Sequence, residues 1–289
     1  MSLVHESAPA ATATVRGNAS APSQRLVENA LGAVAGRMRV ITYNVAGLPE
    51  GLSRSRPLAN LPRIGELLNR YDLAIVQEDF AYPQALRQKL TLPYGSAPFE
   101  RGDRLDFGDG LSQFSKLPLR DTTRAAWAHC NGFTDSYFDC LTPKGFMRSR
   151  VELSPGVAVD VYNLHMDAGH SAGDRAARAS QLEQLSRAIR RDSSGVAVIV
   201  GGDFNLSRSE RAVLAHFEGE TELQDACTVL GCPEPGRIDR VLFRGSDALR
   251  LRPERWRTES SFTDARGRPL SDHLPVVVEL RWQRAAANG

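Results

Sequence analysis

The stretch VAVIVGGDFN, residues 196–205, decides how the rest of the chain is read. Val196 to Val200 form a short, β-branched apolar run bounded by glycine, the signature of a core strand. Behind two glycines it delivers Asp203-Phe204-Asn205, which places a carboxylate and an amide at the end of that strand. A charge in such a position is costly unless it meets a partner or a metal. The same construction recurs along the chain. RVITY (39–43) runs into Asn44, DLAIVQ (72–77) into Glu78, and VAVDVYNL (157–164) into His165. Asp239 interrupts the apolar run RIDRVLF (237–243), and Asp272-His273 precede PVVVEL (275–280). Singly, each has an ordinary explanation as a turn residue, a surface charge or a satisfied core histidine. Six strand ends bearing Asn, Glu, His, Asp-x-Asn, Asp and Asp-His are a pattern that chance seldom delivers.

Between the strands, residues 58–70 carry Leu61, Ile64, Leu67 and Leu68 at helical spacing, and residues 174–191 do so with Leu182, Leu185 and Ile189. Several hairpin-like passages lack intervening helices, which excludes a simple doubly wound parallel sheet. The expected fold is α/β, with two mixed β-sheets packed face to face and helices outside. Residues 1–24, rich in Ala, Ser, Thr and Pro, read as a flexible tail. Arg25 to Val34 reads as a short helix with Leu26, Val27, Leu31 and Val34 on one side. The expected division is residues 1–36 as tail and short helix and residues 37–285 as one domain, because no linker-like composition or repeat interrupts the latter.

Composition narrows the partners less. The 289 residues carry 36 Lys plus Arg against 34 Asp plus Glu, a net +2 that announces neither nucleic acid nor an anionic membrane. With 42% hydrophobic and 24% charged residues, disorder and fibrous architectures are excluded. No apolar run approaches the roughly 18 residues of a bilayer span, so no transmembrane segment is expected. Nothing calls for a partner subunit, and a monomer is the default. The four cysteines fall into two close pairs, Cys130 with Cys140 and Cys227 with Cys232. They lack the C-x-x-C spacing of zinc or redox motifs and leave two readings open: buried thiols of a cytosolic enzyme, or two local disulfides of a secreted or periplasmic one. Residues 1–36 show no charged start followed by an apolar core, so export carries the expectation that a leader has been removed.

The strand-end residues suit hydrolysis of a phosphate ester with a divalent cation. Hard carboxylate and amide oxygens favour Mg2+, or Mn2+ or Ca2+, whereas zinc prefers closely spaced His and Cys. His165 and His170 lie off the i,i+4 spacing of a helical metal pair. Phosphoester cleavage needs an oriented water, charge stabilisation at the phosphoryl oxygens and help for the leaving oxygen. One water-positioning Asp, one His paired with an Asp, and a metal carboxylate meet those needs.

At these residues the chain resembles the endonuclease/exonuclease/phosphatase superfamily, whose members include deoxyribonucleases, abasic-site endonucleases, neutral sphingomyelinases and inositol-polyphosphate phosphatases. The matching segments are TYNVAG (42–47), VQED (76–79), YNLHMDAG (162–169), GGDFN (201–205), RIDRVLF (237–243) and LSDHLPV (270–276), in family order. The resemblance implies a four-layered α/β sandwich with the site at one end of the paired sheets. It implies Glu78 as principal metal ligand with Asn44, and Asp272 beside the ion. Asp203 would orient or deprotonate the attacking water, and Asn205 would fix the phosphate. His273, positioned by Asp239, would stabilise charge developing at phosphorus, and His165 would contact the phosphate or assist the leaving group. A second ion would use Asp203, Asn205 and His273. DGLSQFSKLP (109–118) resembles a family strand beside the site, and Lys144-Gly145-Phe146 with Cys140 upstream resembles exported, sphingomyelinase-like members.

The substrate stays open among a phospholipid headgroup, a nucleic acid and a small phosphate ester. The arginines of residues 237–257 offer a nucleic-acid groove or a merely solvated face. Trp127, Phe133, Tyr137 and Phe138 offer either a membrane-entering loop or a small hydrophobic cluster. Asp103, Asp106 and Asp109 lack EF-hand spacing and read as a polar loop rather than a calcium site. The resemblance favours a phosphodiesterase of the sphingomyelinase-like branch, with a nuclease, a small-molecule phosphatase and a binding module as alternatives.

Overall fold

A computed structural model describes residues 34–52, 55–99, 108–132, 139–233 and 237–285. In chain order the first half contains β1 (Ala35–Asn44), α1 (Pro57–Leu68), β2 (Leu73–Gln77), α2 (Pro83–Arg87), β3 (Tyr94–Gly95), β4 (Ser112–Ser115) and β5 (Leu119–Ala126). The second half contains β6 (Gly145–Ser154), β7 (Val157–His165), α3 (Ala172–Asp192), β8 (Val198–Asp203), α4 (Arg211–Thr221), β9 (Gln224–Asp225), α5 (Ala226–Leu230), β10 (Asp239–Arg244), β11 (Leu249–Thr258) and β12 (Val276–Arg284). The strands make two six-stranded sheets, ordered β11-β12-β1-β2-β4-β3 and β5-β6-β7-β8-β10-β9. Each is antiparallel except for one central pair, β1 beside β2 in the first sheet and β7 beside β8 in the second. This is the expected α/β sandwich of two mixed sheets between helical layers.

Side-chain alternation along the strands explains the layering. On β1, Met38 and Val40 face the second sheet, while Ile41 and Tyr43 face outward beneath Leu61, Ile64, Leu67 and Leu68 of α1. On β7 and β8, Val159, Val161 and Ile199 face the first sheet. Tyr162, Leu164, Val198 and Val200 face outward beneath Leu182, Leu185 and Ile189 of α3. That helix starts at a capping box in which Asp174 N donates to Ser171 Oγ at 3.1 Å and Ser171 N donates to Asp174 Oδ2 at 2.7 Å.

Following the inward-facing residues along these strands shows how the site is placed. Val40, Thr42 and Asn44 succeed one another on β1, Ile75 and Gln77 on β2, Val161, Asn163 and His165 on β7, and Ile199, Gly201 and Asp203 on β8. The inter-sheet space is therefore apolar first, then a layer of amides, then the titratable groups. In the amide layer Gln77 Nε2 donates to Asn163 Oδ1 across the sheets at 2.7 Å, and Asn163 Nδ2 donates to the Val76 and Ser112 carbonyls at 2.8 and 3.1 Å. Gln113 Nε2 reaches back to the Val161 carbonyl at 3.2 Å. Gly201 lets the sheets close here, since a Cβ on it would lie 2.7 Å from Ile75 Cδ1.

The structure adjusts several sequence expectations. Ala35 and Gly36, assigned to the tail region, open β1 opposite Gln283 and Trp282, because the edge of β12 extends far enough to pair with them. Asp203 closes β8 and Asp239 opens β10, as strand-end residues, and the two pair with each other in register. The helix expected over residues 25–34 lies outside the described residues apart from Val34. Replacing Asn163 with Ala would remove one acceptor of Gln77 Nε2, which keeps Thr42 Oγ1 at 3.2 Å, and the side-chain donor to two buried carbonyls. At about 1–3 kcal/mol for each buried group left unpaired, urea unfolding should show a midpoint well below that of the parent with an unchanged slope.

Candidate active site

Both parallel pairs end on the same side, so four chain segments deliver their last polar residue to one space. Asn44 is in register with Gln77, and His165 with Asp203. Antiparallel β10 brings Asp239 opposite Asp203. The loop entering β12 adds Asp272 and His273, anchored because Ser271 Oγ donates to the Asn44 carbonyl at 2.7 Å and accepts from His273 N at 3.2 Å. Asn44 Nδ2 donates to Glu78 Oε1 at 2.9 Å and to Asp203 Oδ2 at 3.2 Å, a link between the two sheets. His273 Nδ1 lies 2.9 Å from Asp239 Oδ2, and its Nε2 lies 3.8 Å from Asp203 Oδ2. His165 Nε2 lies 3.6 Å from Asp203 Oδ2 and 3.9 Å from Glu78 Oε1. Seven of the eight expected residues thus converge around one space by contact. Asp272 is exposed at its mouth, with its carboxylate 3.3 Å from Ser271 Oγ.

The backbone that aims these groups is held in left-handed conformation at Ala46, Glu78 and Asn205, with φ of 48°, 58° and 51°. A non-glycine residue holds that conformation only when its surroundings enforce it. At Glu78 they do: Gly47 N donates to the Glu78 carbonyl at 3.0 Å, and Asp79 N to the Gly110 carbonyl at 2.9 Å. Gly47 must lack a side chain, since a Cβ would lie 2.3 Å from the Glu78 carbonyl oxygen. At Asn205 the backbone N–H donates to Asp203 Oδ1 at 3.0 Å, while the side-chain amide is spent on the Met166 carbonyl at 2.9 Å.

Burial makes the electrostatics of this space unusual. It pushes the Glu78 carboxyl above its ordinary range, against the opposing hydrogen bond from Asn44 and the charges of Lys144 and His273. Burial, reinforced by the Asp239 charge, pushes Asp203 up to about 7. Burial also drives His165 well below the usual imidazole value, helped by the positive charges of Lys144 and His273, so His165 is neutral. For His273, burial works the other way from its surroundings. The Asp239 hydrogen bond and the charges of Asp239, Asp203 and Asp272 outweigh it and push His273 up to about 10, so this ring is an imidazolium. The site therefore pairs one cationic and one neutral histidine with an excess of carboxylates. Asp203, Asp239 and His273 alone offer three ligand atoms within 4.8 Å of one another.

Several supporting residues carried no strand-end signal. Buried Lys144 forms an ion pair with Asp139 and donates to the Met166 carbonyl at 3.3 Å. It opens the Lys-Gly-Phe element noted in the sequence, where no site role attached to it. Buried Arg178 is clamped by Glu210 at 2.8 and 2.9 Å and donates to the carbonyls of Asp167, Ala168 and Gly169, fixing the loop behind His165. Trp127 is buried and donates from Nε1 to the His165 carbonyl at 2.7 Å, so of its two readings it takes the hydrophobic cluster. Phe133, Tyr137 and Phe138 lie outside the described residues, as do Asp103 and Asp106. Asp109 is held by Arg124 at 2.6 Å.

The cysteines form two bridges, Cys130–Cys140 and Cys227–Cys232, with Cα atoms 5.4 and 5.0 Å apart. Cys130–Cys140 ties together two neighbours of the site loop. Asn131 N donates to Asp167 Oδ2 at 2.6 Å, and Asp139 Oδ2 accepts from Ala168 N at 2.7 Å.

Comparison with known proteins gives the chain a family and agrees with its fold. The model of the Endonuclease/Exonuclease/phosphatase family matches residues 41–273. The chain is 35% identical over 276 residues to a sphingomyelinase of Mycobacterium tuberculosis, covering 86% of this chain and 54% of that protein, so it spans about half the length of this relative. Among solved structures, D. rerio TDP2 complexed with single-strand DNA product superposes with a TM-score of 0.65 at 18% identity, covering 85% of this chain and 99% of that one. A mutant beta toxin from Staphylococcus aureus with bound magnesium ions superposes with a TM-score of 0.61 at 16% identity, covering 84% and 99%.

Reduction of both bridges should lower stability by at most about 2–3 kcal/mol each, given their short loops. The check is the melting temperature with and without reductant; identical values would remove the bridges from the account of stability.

Proposed function

The chain belongs to the endonuclease/exonuclease/phosphatase family, and from that premise we propose that it is a divalent-metal-dependent phosphodiesterase of the sphingomyelinase-like branch. The observation that carries this reading is the convergence of Glu78, Asp203 and the His273–Asp239 pair on one space from both sheets. The branch rests on the 35% identity to the mycobacterial sphingomyelinase.

The donor set fits a hard cation. Glu78 and Asp272 offer oxygens, and the burial that raises Glu78 and, with the Asp239 charge, Asp203 is a cost that a bound cation would offset. Asn44 as placed turns its amide nitrogen to Glu78 and its oxygen to Ala46 N, 3.1 Å away, and would join the ligands by turning its amide over. Mg2+, or Mn2+ or Ca2+, held at Glu78 would supply positive charge beside the phosphoryl oxygens. The chain's own groups account for the remainder. Asp203, with a carboxyl titrating near neutrality, orients water and takes its proton as the water oxygen attacks phosphorus. The bond from phosphorus to the leaving oxygen breaks as the new one forms, and that oxygen takes a proton from solvent at the mouth of the site. The His273 imidazolium, held at Nδ1 by Asp239, directs Nε2 toward that space and stabilises the phosphoryl charge. Neutral His165 suits a hydrogen bond to the phosphate rather than proton donation to the leaving oxygen. Asn205 stands beside Asp203, which accepts from its backbone N–H at 3.0 Å, and would fix the phosphate through a side-chain amide held by the Met166 carbonyl. The two bridges support a secreted or periplasmic setting, where disulfides persist.

The reading is tested by offering purified protein sphingomyelin vesicles, supercoiled plasmid and inositol phosphates, with Mg2+ and then with EDTA. Metal-dependent release of phosphocholine is expected; metal-dependent nicking without lipid turnover would overturn it. His273→Ala should lower kcat by roughly 10²-fold or more. Glu78→Gln should raise the Mg2+ concentration for half-maximal activity with an unchanged unfolding transition. Gly47→Ala should also raise that Mg2+ concentration by displacing the Glu78 backbone, and should lower the unfolding transition as well.

A further inference from the structure

The arginines of β11 and β12 serve no part of this chemistry, and the register of the first sheet gathers them. Arg252 pairs with Arg281 on β12, and Arg281 pairs with Arg37 on β1, so three arginines stand abreast. One row further on, Arg250 stands beside Gln283. These side chains point away from the core, because Leu251, Leu280 and Trp282 between them point into it. They are well exposed, Arg37 at 63% and Arg281 at 54% of the side chain. Together they line one depression of about 670 Å³, in which Glu254 is the acid.

Like charges directly opposite on neighbouring strands destabilise a sheet. Nearer the site the same face avoids this: Arg257 meets Glu279 at 3.0 Å and Glu259 at 3.5 Å, and Arg39 meets Asp72 at 3.7 Å. Among the described residues, Glu254 is the one acid lining the depression, 2.6 Å from Arg37 and 3.9 Å from Arg281, against four guanidinium groups. A row of planar forks with uncompensated charge is complementary to closely spaced anionic oxygens.

We propose that this face is a docking surface for duplex nucleic acid, held by its phosphates without regard to sequence. Position argues against the substrate-bearing bilayer as occupant. The depression lies at the far end of β12 from Asp272 and His273, about 25 Å along the strand at the usual rise per residue. A bilayer seated there would hold the catalytic mouth away from its own lipids, whereas a polymer docked there leaves the mouth open. Chemistry argues against a single strand, since the lining residues include no aromatic platform for unstacked bases among the described residues. The arginine row stands without the phosphodiesterase reading, whereas the exclusion of the bilayer as occupant rests on that reading.

The test measures binding of a fluorescent DNA duplex of mixed sequence to the full chain in EDTA, across a salt series. Four phosphate contacts predict a slope of log K against log salt of about −3 to −4, a loss of roughly 10²-fold between 50 and 200 mM. Combining Arg37→Gln, Arg250→Gln, Arg252→Gln and Arg281→Gln should weaken binding at least tenfold at 50 mM salt and flatten the slope. Turnover of the enzyme's substrate and the melting temperature should stay as in the parent. Equal duplex binding by parent and variant would overturn the proposal. So would parent protein that binds phosphatidylglycerol vesicles, heparin or single-stranded DNA but not the duplex.

Discussion

The whole site depends on two β-sheets keeping one fixed alignment. Glu78 and His273 come from the first sheet and its connections, and Asp203, Asp239 and His165 from the second. Apolar packing alone would tolerate sliding, because the hydrophobic effect is not directional. The amides of Gln77 and Asn163 are directional, and they sit one pleat below the titratable groups. Side chains with any other donor geometry would leave carbonyls of Val76 and Ser112 unmet in a dry interior. Position and specificity of the sheet alignment thus come from the same few hydrogen bonds, with Gly201 providing the clearance that lets them form.

Above that layer, the geometry separates two histidines that a sequence treats alike. Both follow apolar strands or precede them, and both lie within 4 Å of Asp203. Only His273 has a carboxylate dedicated to its other nitrogen, and it is the charged one. His165 is sealed between its strand and the Trp127 and Lys144 segment and stays neutral. Environment, not residue type, divides the roles.

Much of this was legible in the chain itself. A period-2 apolar run that ends in a polar residue marks a strand leaving a core, and six such ends could be found without coordinates. The helices at α1 and α3 were equally plain, because Leu61, Ile64, Leu67 and Leu68 and then Leu182, Leu185 and Ile189 repeat at helical spacing. What stayed hidden was whatever depends on a contact between distant segments. Gly47 reads as a turn glycine until the Glu78 carbonyl is found against it. Ser271 is one serine among many until its hydroxyl is seen joining Asn44 to His273. Strands β5 and β11, with exposed arginines interrupting their alternation, carry too weak an apolar pattern to announce themselves. Trp127 shows the same limit, since an aromatic residue near a disulfide suits a surface loop or a buried cluster until its indole is found bonded inside.

The link from Asn44 to Asp203 and that from His273 to Asp239 both cross between the sheets. Chemistry so arranged belongs to a seam, not to either half. Neither half holds the full donor set, since Glu78 and His273 come from the first sheet and its connections and Asp203, Asp239 and His165 from the second. A change that opens the seam therefore disturbs the converging carboxylates and the buried amides beneath them together.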